Sequence, residues 1–179
     1  MEKKNKVFIA TSIDGYIADA NSGTDWLHTI PNPNNDDMGY MEFINGIDAL
    51  VMGRKTFETV CSFDIDWPYE KPVFVLSNSL TDLPKEYSDK VEIVNGTLDD
   101  VLRKIYNKGY HNLYIDGGKT IQSFLEEDLT NEMTITIIPY ILGDGVPLFS
   151  VLPNRLRFEC IDSKIYLEQV VQNFFRRKR

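Results

Sequence analysis

The sequence predicts an α/β fold whose central sheet is mixed and mostly parallel, with an antiparallel hairpin at the C-terminal end. Two observations carry this. Short apolar runs at residues 7–12, 49–52, 73–76 and 113–115 alternate with segments of helical periodicity, the pattern of parallel strands joined by right-handed crossovers. The last two apolar runs, 156–163 and 166–175, have no helix between them and read as an antiparallel edge.

In chain order, residues 7–12 read as a buried first strand. Residues 13–35 form a long loop rich in Gly, Asn, Asp and Pro, and loops of that length in compact domains are usually functional. Asp36 or Asp37 can cap a short helix with Met38, Met41 and Ile44 as its apolar face, stopped by Gly46. Residues 49–52 are the second strand and 56–60 the next helix. Lys71-Pro72 leads into a third strand, 73–76, that ends at Ser77, and residues 91–94 form a fourth. Thr97 and Asp100 make a capping box with Asp in place of the usual Glu. They open a helix over 98–108, apolar at Leu98, Val101, Leu102 and Ile105, which Gly109 closes. Residues 113–115 and 133–138 are strands with a helix, 120–127, between them. Gly143-Asp144-Gly145 is a turn. The closing pair turns around Ser163-Lys164-Ile165, and Arg176-Arg177-Lys178-Arg179 is a solvated basic end.

The 179 residues suit one domain spanning 1–179. Net charge is −8, from 27 acidic and 19 basic side chains, which argues against a general nucleic-acid binder. Any phosphate site must therefore be locally basic. The N-terminal apolar run is too short for a signal peptide or a membrane span, so a cytoplasmic location is the default expectation. Cys61 and Cys160, without CxxC spacing, read as unpaired thiols, and no metal site is expected. His28 and His111 read as surface histidines without partners.

Two segments point to chemistry: Val51-Met52-Gly53-Arg54-Lys55-Thr56 and Ile115-Asp116-Gly117-Gly118-Lys119-Thr120. Each is a strand that reaches glycine, a basic residue and threonine, then enters a helix. Free N–H groups at such a helix start favour an anion, glycine lets a phosphate approach the backbone, and the cations add charge. A tight turn without ligand explains either one alone. Two together suggest one extended polyanion held at both ends, as in a dinucleotide. The G-x-G-x-x-G fingerprint, the Walker A sequence, G-x-S-x-G and H-E-x-x-H are all absent.

The order of motifs resembles the dihydrofolate-reductase-like family, in particular the reductase domain of riboflavin biosynthesis and its single-domain relatives. The resemblance rests on Ala10-Thr11-Ser12-Ile13-Asp14-Gly15-Tyr16-Ile17-Ala18, Asp25-Trp26-Leu27, Met52-Gly53-Arg54-Lys55-Thr56-Phe57-Glu58, Val75-Leu76-Ser77, Asp116-Gly117-Gly118, and Gly143-Asp144-Gly145-Val146-Pro147-Leu148-Phe149. It implies a three-layer fold and NADPH as cofactor. Gly53, Arg54, Lys55 and Thr56 would meet the adenosine-side phosphates. Ser77 would reach the 2′-phosphate. In many dihydrofolate reductases the next residue is basic; here it is Asn78, which shifts that task toward Arg54 and Lys55. Gly117, Gly118, Lys119 and Thr120 would cradle the pyrophosphate, and Ala10 and Ile17 would line the nicotinamide.

The same resemblance puts a substrate-holding carboxylate at Asp37, with helix capping the competing reading, and sets Asp14 beside the nicotinamide, where a simple turn is the alternative. Trp26 would stack on substrate or pack as a lid, and Tyr40 would join the substrate side. The implied activity is reduction of a planar nitrogen heterocycle, either dihydrofolate-like or the ribosylaminopyrimidine intermediate of riboflavin synthesis. The H-x-E and P-C-x-x-C zinc motifs of the fused deaminase are absent. A non-catalytic dinucleotide-binding module is the alternative. Dimerisation through an edge strand or the C-terminal hairpin is compatible with the resemblance.

Overall fold

A computed structural model describes residues 2–63 and 65–179. Its strands are β1 (Lys4–Thr11), β2 (Tyr16–Ala18), β3 (Ala49–Gly53), β4 (Val73–Leu76), β5 (Val91–Val94), β6 (Asn112–Asp116), β7 (Glu132–Ile137), β8 (Val146–Pro147), β9 (Phe158–Tyr166) and β10 (Val170–Arg177). The helices are α1 (Tyr40–Asn45), α2 (Arg54–Cys61), α3 (Leu98–Asn107) and α4 (Gly118–Glu126). Eight strands pair in the order β5-β4-β3-β6-β1-β7-β10-β9. The pairings from β5 through β7 are parallel, whereas β10 runs antiparallel to both β7 and β9.

The apolar runs are unbroken because both sheet faces are covered. In β3, Ala49 and Val51 join the core formed with Val101 and Ile105 of α3 and Ile121 and Phe124 of α4. Leu50 and Met52 join the opposite core, with Phe57 of α2 and, from α1, Tyr40, Phe43 and Ile44. This makes three layers.

Adjacent β3 and β6 are the point where the chain changes direction. From β3 it crosses through α2 to β4 on one side; from β6 it crosses through α4 to β7 on the other. In open α/β sheets the crevice at such a switch point, beyond the carboxyl ends of the strands, is where ligands bind.

Several expectations need correction. The apolar face of α1 is Tyr40, Phe43 and Ile44, not Met38, Met41 and Ile44. Met41 is 57% exposed, and Met38 precedes the helix at φ 52° and packs with Trp26. The loop over 13–35 contains β2, paired with β8, and a 3-10 turn, Asp25–His28, that buries Trp26. The C-terminal hairpin turns at Leu167 and Glu168, both at positive φ, with the Gln169 N–H donating to the Tyr166 carbonyl. Ser163, Lys164 and Ile165 lie inside β9.

The basic end is not free. Arg177 donates to both carboxylate oxygens of Asp128, and Lys178 pairs with Glu159. Arg176 approaches Glu132, which also faces Lys4 and Lys6. His111 is not a plain surface residue either. It stacks on Tyr106 and leaves a buried Nδ1 without a partner. Cys61 and Cys160 are free thiols. Among the described residues no helix is long and apolar enough to cross a membrane, and no group of three metal-ligating side chains occurs.

Candidate functional site

The two glycine turns meet at the switch point. Gly53 caps α2 in extended conformation and Gly117 caps α4 at φ 89°, and neither helix start has a side-chain cap. The start of α3 differs, since Thr97 Oγ1 accepts from the Asp100 N–H at 3.2 Å. Asp100 returns a carboxylate to the Thr97 hydroxyl at 2.8 Å. Thus α2 and α4 keep open first-turn N–H groups at one crevice, the arrangement that suits a polyanion.

The turns also interlock. A Cβ on Gly53 would stand 2.9 Å from Thr120 Oγ1, and one on Gly117 would overlap Thr56 Oγ1. Close packing between the turns accounts for both glycines independently of any ligand. Ile17 lies over Gly118, where a Cβ would sit 2.7 Å from its Cδ1. Lys55 and Lys119 are exposed beside these starts.

Arg54 donates from Nε to Glu58 at 2.6 Å and from Nη1 to Ser79 Oγ at 3.2 Å. Ser77 is buried, and its Oγ accepts from the N–H groups of Ser79 and Leu80. Asn78 is exposed, and its Oδ1 accepts from the Gly96 N–H at 3.4 Å. Ser77 and Asn78 line a cavity with Leu76, Gly96, Thr97, Leu98, Ser123 and Glu127. No cation is among those lining residues.

Asp37 is tied to the turn into α1, whose N-cap position is Gly39 rather than Asp36 or Asp37. Its Oδ1 accepts from the Gly39 N–H at 2.9 Å and its Oδ2 from the Met41 N–H at 2.8 Å. These bonds hold the exposed carboxyl below its ordinary range. Asp14 ties two loops together. It accepts from the Ser12 hydroxyl at 2.6 Å, the Leu142 N–H at 3.1 Å and the Gly143 N–H at 2.8 Å. The Ser12 bond is the largest influence holding this carboxyl low. Both groups are ionised acceptors.

Trp26 is 7% exposed and shares a cluster with Ala10, Met38, Ile138 and Val170. Its Nε1 is buried without a partner. Tyr40 packs edge-on against Phe8, with ring centroids 5.6 Å apart.

The carboxyl with the opposite character is Asp116, at the end of β6 directly before Gly117. As a residue it is half-buried, but its carboxyl is enclosed and burial pushes it up. The Gly117 N–H donates to Oδ1 at 2.8 Å. Its charge raises the phenols of Tyr40, Tyr69 and Tyr114, which burial already raises more strongly. In the sequence Asp116 stands out only as part of a motif. Its one local signal was a carboxylate preceding a glycine pair. Gln172 was also missed: its Nε2 donates to Thr136 Oγ1 at 2.9 Å and to the Met38 carbonyl at 3.0 Å, fixing the turn before α1.

The family model of the RibD C-terminal domain matches residues 6–172. An uncharacterized protein of Bacillus subtilis, YwjB, is 31% identical over 179 residues, covering 98% of this chain and 99% of its own. The crystal structure of a putative riboflavin biosynthesis protein from Shewanella sp. PV-4 superimposes with a TM-score of 0.96 at 54% identity, over 98% of this chain and 99% of that one. Dihydrofolate reductase from Enterococcus faecalis, complexed with NADP(H), superimposes with a TM-score of 0.66 at 14% identity, over 98% and 97% of the chains. That likeness is one of fold.

Proposed function

The chain belongs to the RibD C-terminal domain family, and from that premise we propose that residues 1–179 work as one reductase domain using NADPH on a planar nitrogen heterocycle. A dihydrofolate-like pterin and the ribosylaminopyrimidine of riboflavin synthesis are the two candidate substrates. The observation that carries the reading is the meeting of the two helix starts without side-chain caps, α2 at Gly53 and α4 at Gly117, with Asp116, a carboxyl that burial pushes up, directly before the second. The side-chain-free starts of α2 and α4 and their flanking cations fit a dinucleotide. Gly53, Arg54, Lys55 and Thr56 hold its adenosine-side phosphate, with Ser77 and Asn78 at the 2′ side. Gly117, Gly118, Lys119 and Thr120 hold the pyrophosphate, and Ala10 and Ile17 border the nicotinamide.

When bound, the cofactor supplies a hydride. The chain's own residues then have to orient the acceptor, keep water out and hold a proton. Asp116 is the group we assign to hold that proton, since burial pushes its carboxyl upward. Trp26 Nε1, buried and unpartnered, is a donor for a ring acceptor of the substrate. Tyr40 walls the substrate beside Asp116. Asp14 keeps the loop after β1 latched to residues 142–143.

The test is NADPH oxidation against a panel of pterins, pyrimidines and small carbonyls, with wild type and Asp116→Asn side by side. Turnover of a heterocycle that the variant loses while NADPH affinity is retained supports the reading. Cofactor binding without turnover of any compound would favour a binding-only module.

A further inference from the structure

The adenosine end of this crevice has one cation anchored against it, and that cation is already shared. Arg54 opens α2 with its Nε on Glu58 at 2.6 Å and its Nη1 on Ser79 Oγ at 3.2 Å. Ser79 is two residues beyond Ser77, whose hydroxyl accepts the Ser79 and Leu80 N–H groups and so builds this turn. The guanidinium therefore stands over the turn that follows β4. The neighbouring cavity wall, from Leu76 to Glu127, contributes a carboxylate and no cation.

We infer that Glu58 sets how strongly this site distinguishes a 2′-phosphorylated adenosine from an unphosphorylated one, by occupying and neutralising Arg54. The inference rests on the dinucleotide reading above. Glu58 lies one helical turn after Arg54, and the two side chains are 45% and 47% exposed. An exposed pair of this kind is weak and easily exchanged. A 2′-phosphate carries up to two negative charges and makes charge-assisted bonds with a guanidinium. It must displace the Glu58 carboxylate from Arg54 or bind beside it against like-charge repulsion. Either route costs affinity that an adenosine without the 2′-phosphate does not lose. Ser79, a neutral partner, can keep the guanidinium in place when Glu58 is neutralised.

The test is calorimetric titration of the wild type, Glu58→Gln and Arg54→Ala with adenosine 2′,5′-bisphosphate and with adenosine 5′-monophosphate. Glu58→Gln is expected to tighten the bisphosphate by about two- to fivefold, the strength of an exposed charge pair, and to leave the monophosphate unchanged. Arg54→Ala should weaken the bisphosphate selectively, and adding Glu58→Gln to it should bring no gain. The gain should shrink as salt rises. Equal changes for both nucleotides, or weaker bisphosphate binding by Glu58→Gln, would overturn the assignment. If the folded wild type binds neither nucleotide, the dinucleotide reading fails and the inference falls with it.

Discussion

Gly117 and Thr56 are packed so closely that a Cβ on the glycine would overlap the threonine hydroxyl, while Gly53 stands in the reciprocal relation to Thr120. Each turn thus receives, three residues into its helix, the threonine that fits against the glycine of the other. The interlock sets the separation of the two helix starts, and with it the span available to a ligand bound across them. The two glycines differ in one respect. Gly53 has φ −79° and needs only space, whereas Gly117 at φ 89° needs space and a conformation that L side chains rarely adopt.

Gly117→Ala is therefore expected to destabilise the fold by about 1–3 kcal/mol, from backbone strain and overlap together. Adding Thr56→Gly should recover the overlap and leave the strain, so the double variant stays less stable than Thr56→Gly alone. Urea unfolding of the four proteins measures both parts. Gly53→Ala with Thr120→Gly should show coupling without residual strain. Full recovery at Gly117 would mean that its positive φ is of no consequence.

Arg177 and Asp128 pin the end of β10 to the segment after α4. The arginine side chain is only 9% exposed and donates to both carboxylate oxygens. Removing Asp128 leaves an enclosed cation short of its partner, which costs roughly 3–5 kcal/mol for a fully buried pair and less here, since Asp128 is 38% exposed. Asp128→Ala should lower the thermal midpoint more than Asp162→Ala, whose lysine partner lies 3.7 Å away on an exposed strand. Equal shifts in a thermal melt would reduce Arg177 to a surface residue.

What could be read from the chain follows how local each determinant is. α3 is carried by its own residues: Thr97 and Asp100 at one end and the spacing of Leu98, Val101, Leu102 and Ile105 along it. β3 and β4 are legible because strands buried on both faces are apolar throughout. The start of α1 was not, because the Met38 backbone at φ 52° is held by Gln172, 134 residues away. The hairpin turn was missed because Leu167 and Glu168 hold positive φ without the Asn-Gly or Asp-Gly pair such turns favour. Asp116 acquires its character from burial in the folded chain, and its charge in turn acts on Tyr40, Tyr69 and Tyr114 from three separated segments. No spacing rule brings those together.

Asp37 should matter to stability and not to chemistry. Its folded-state carboxyl is lowered by the Met41 and Gly39 N–H groups, so its contribution is present above the unfolded carboxylate value and is lost as pH falls through the folded one. Asp37→Ala is expected to melt at lower temperature than wild type at pH 7 and to converge with it in acid. NADPH affinity and turnover at a temperature where both are folded should be unchanged. A variant that melts normally but turns over slowly would return Asp37 to the substrate.

Asp116 has the opposite sign. Its folded carboxyl lies above its ordinary 3.8, so between the unfolded and folded values the native state binds more protons than the unfolded chain. Stability must then decline as pH rises through that window. Asp116→Asn cannot ionise, and its side-chain oxygen can still accept the Gly117 N–H that Oδ1 accepts now. The variant is expected to be at least as stable as wild type at pH 8, with the advantage vanishing toward pH 4, in melts recorded across that range. Its hydride-transfer rate should fall by about 10²–10⁴-fold, the usual contribution of a positioned acid, while NADPH binding persists. The wild-type rate should itself decline as pH rises through the folded value. Parallel stability curves would mean that burial does not raise this carboxyl. A fully active Asp116→Asn enzyme, stable or not, would assign the proton to bound water.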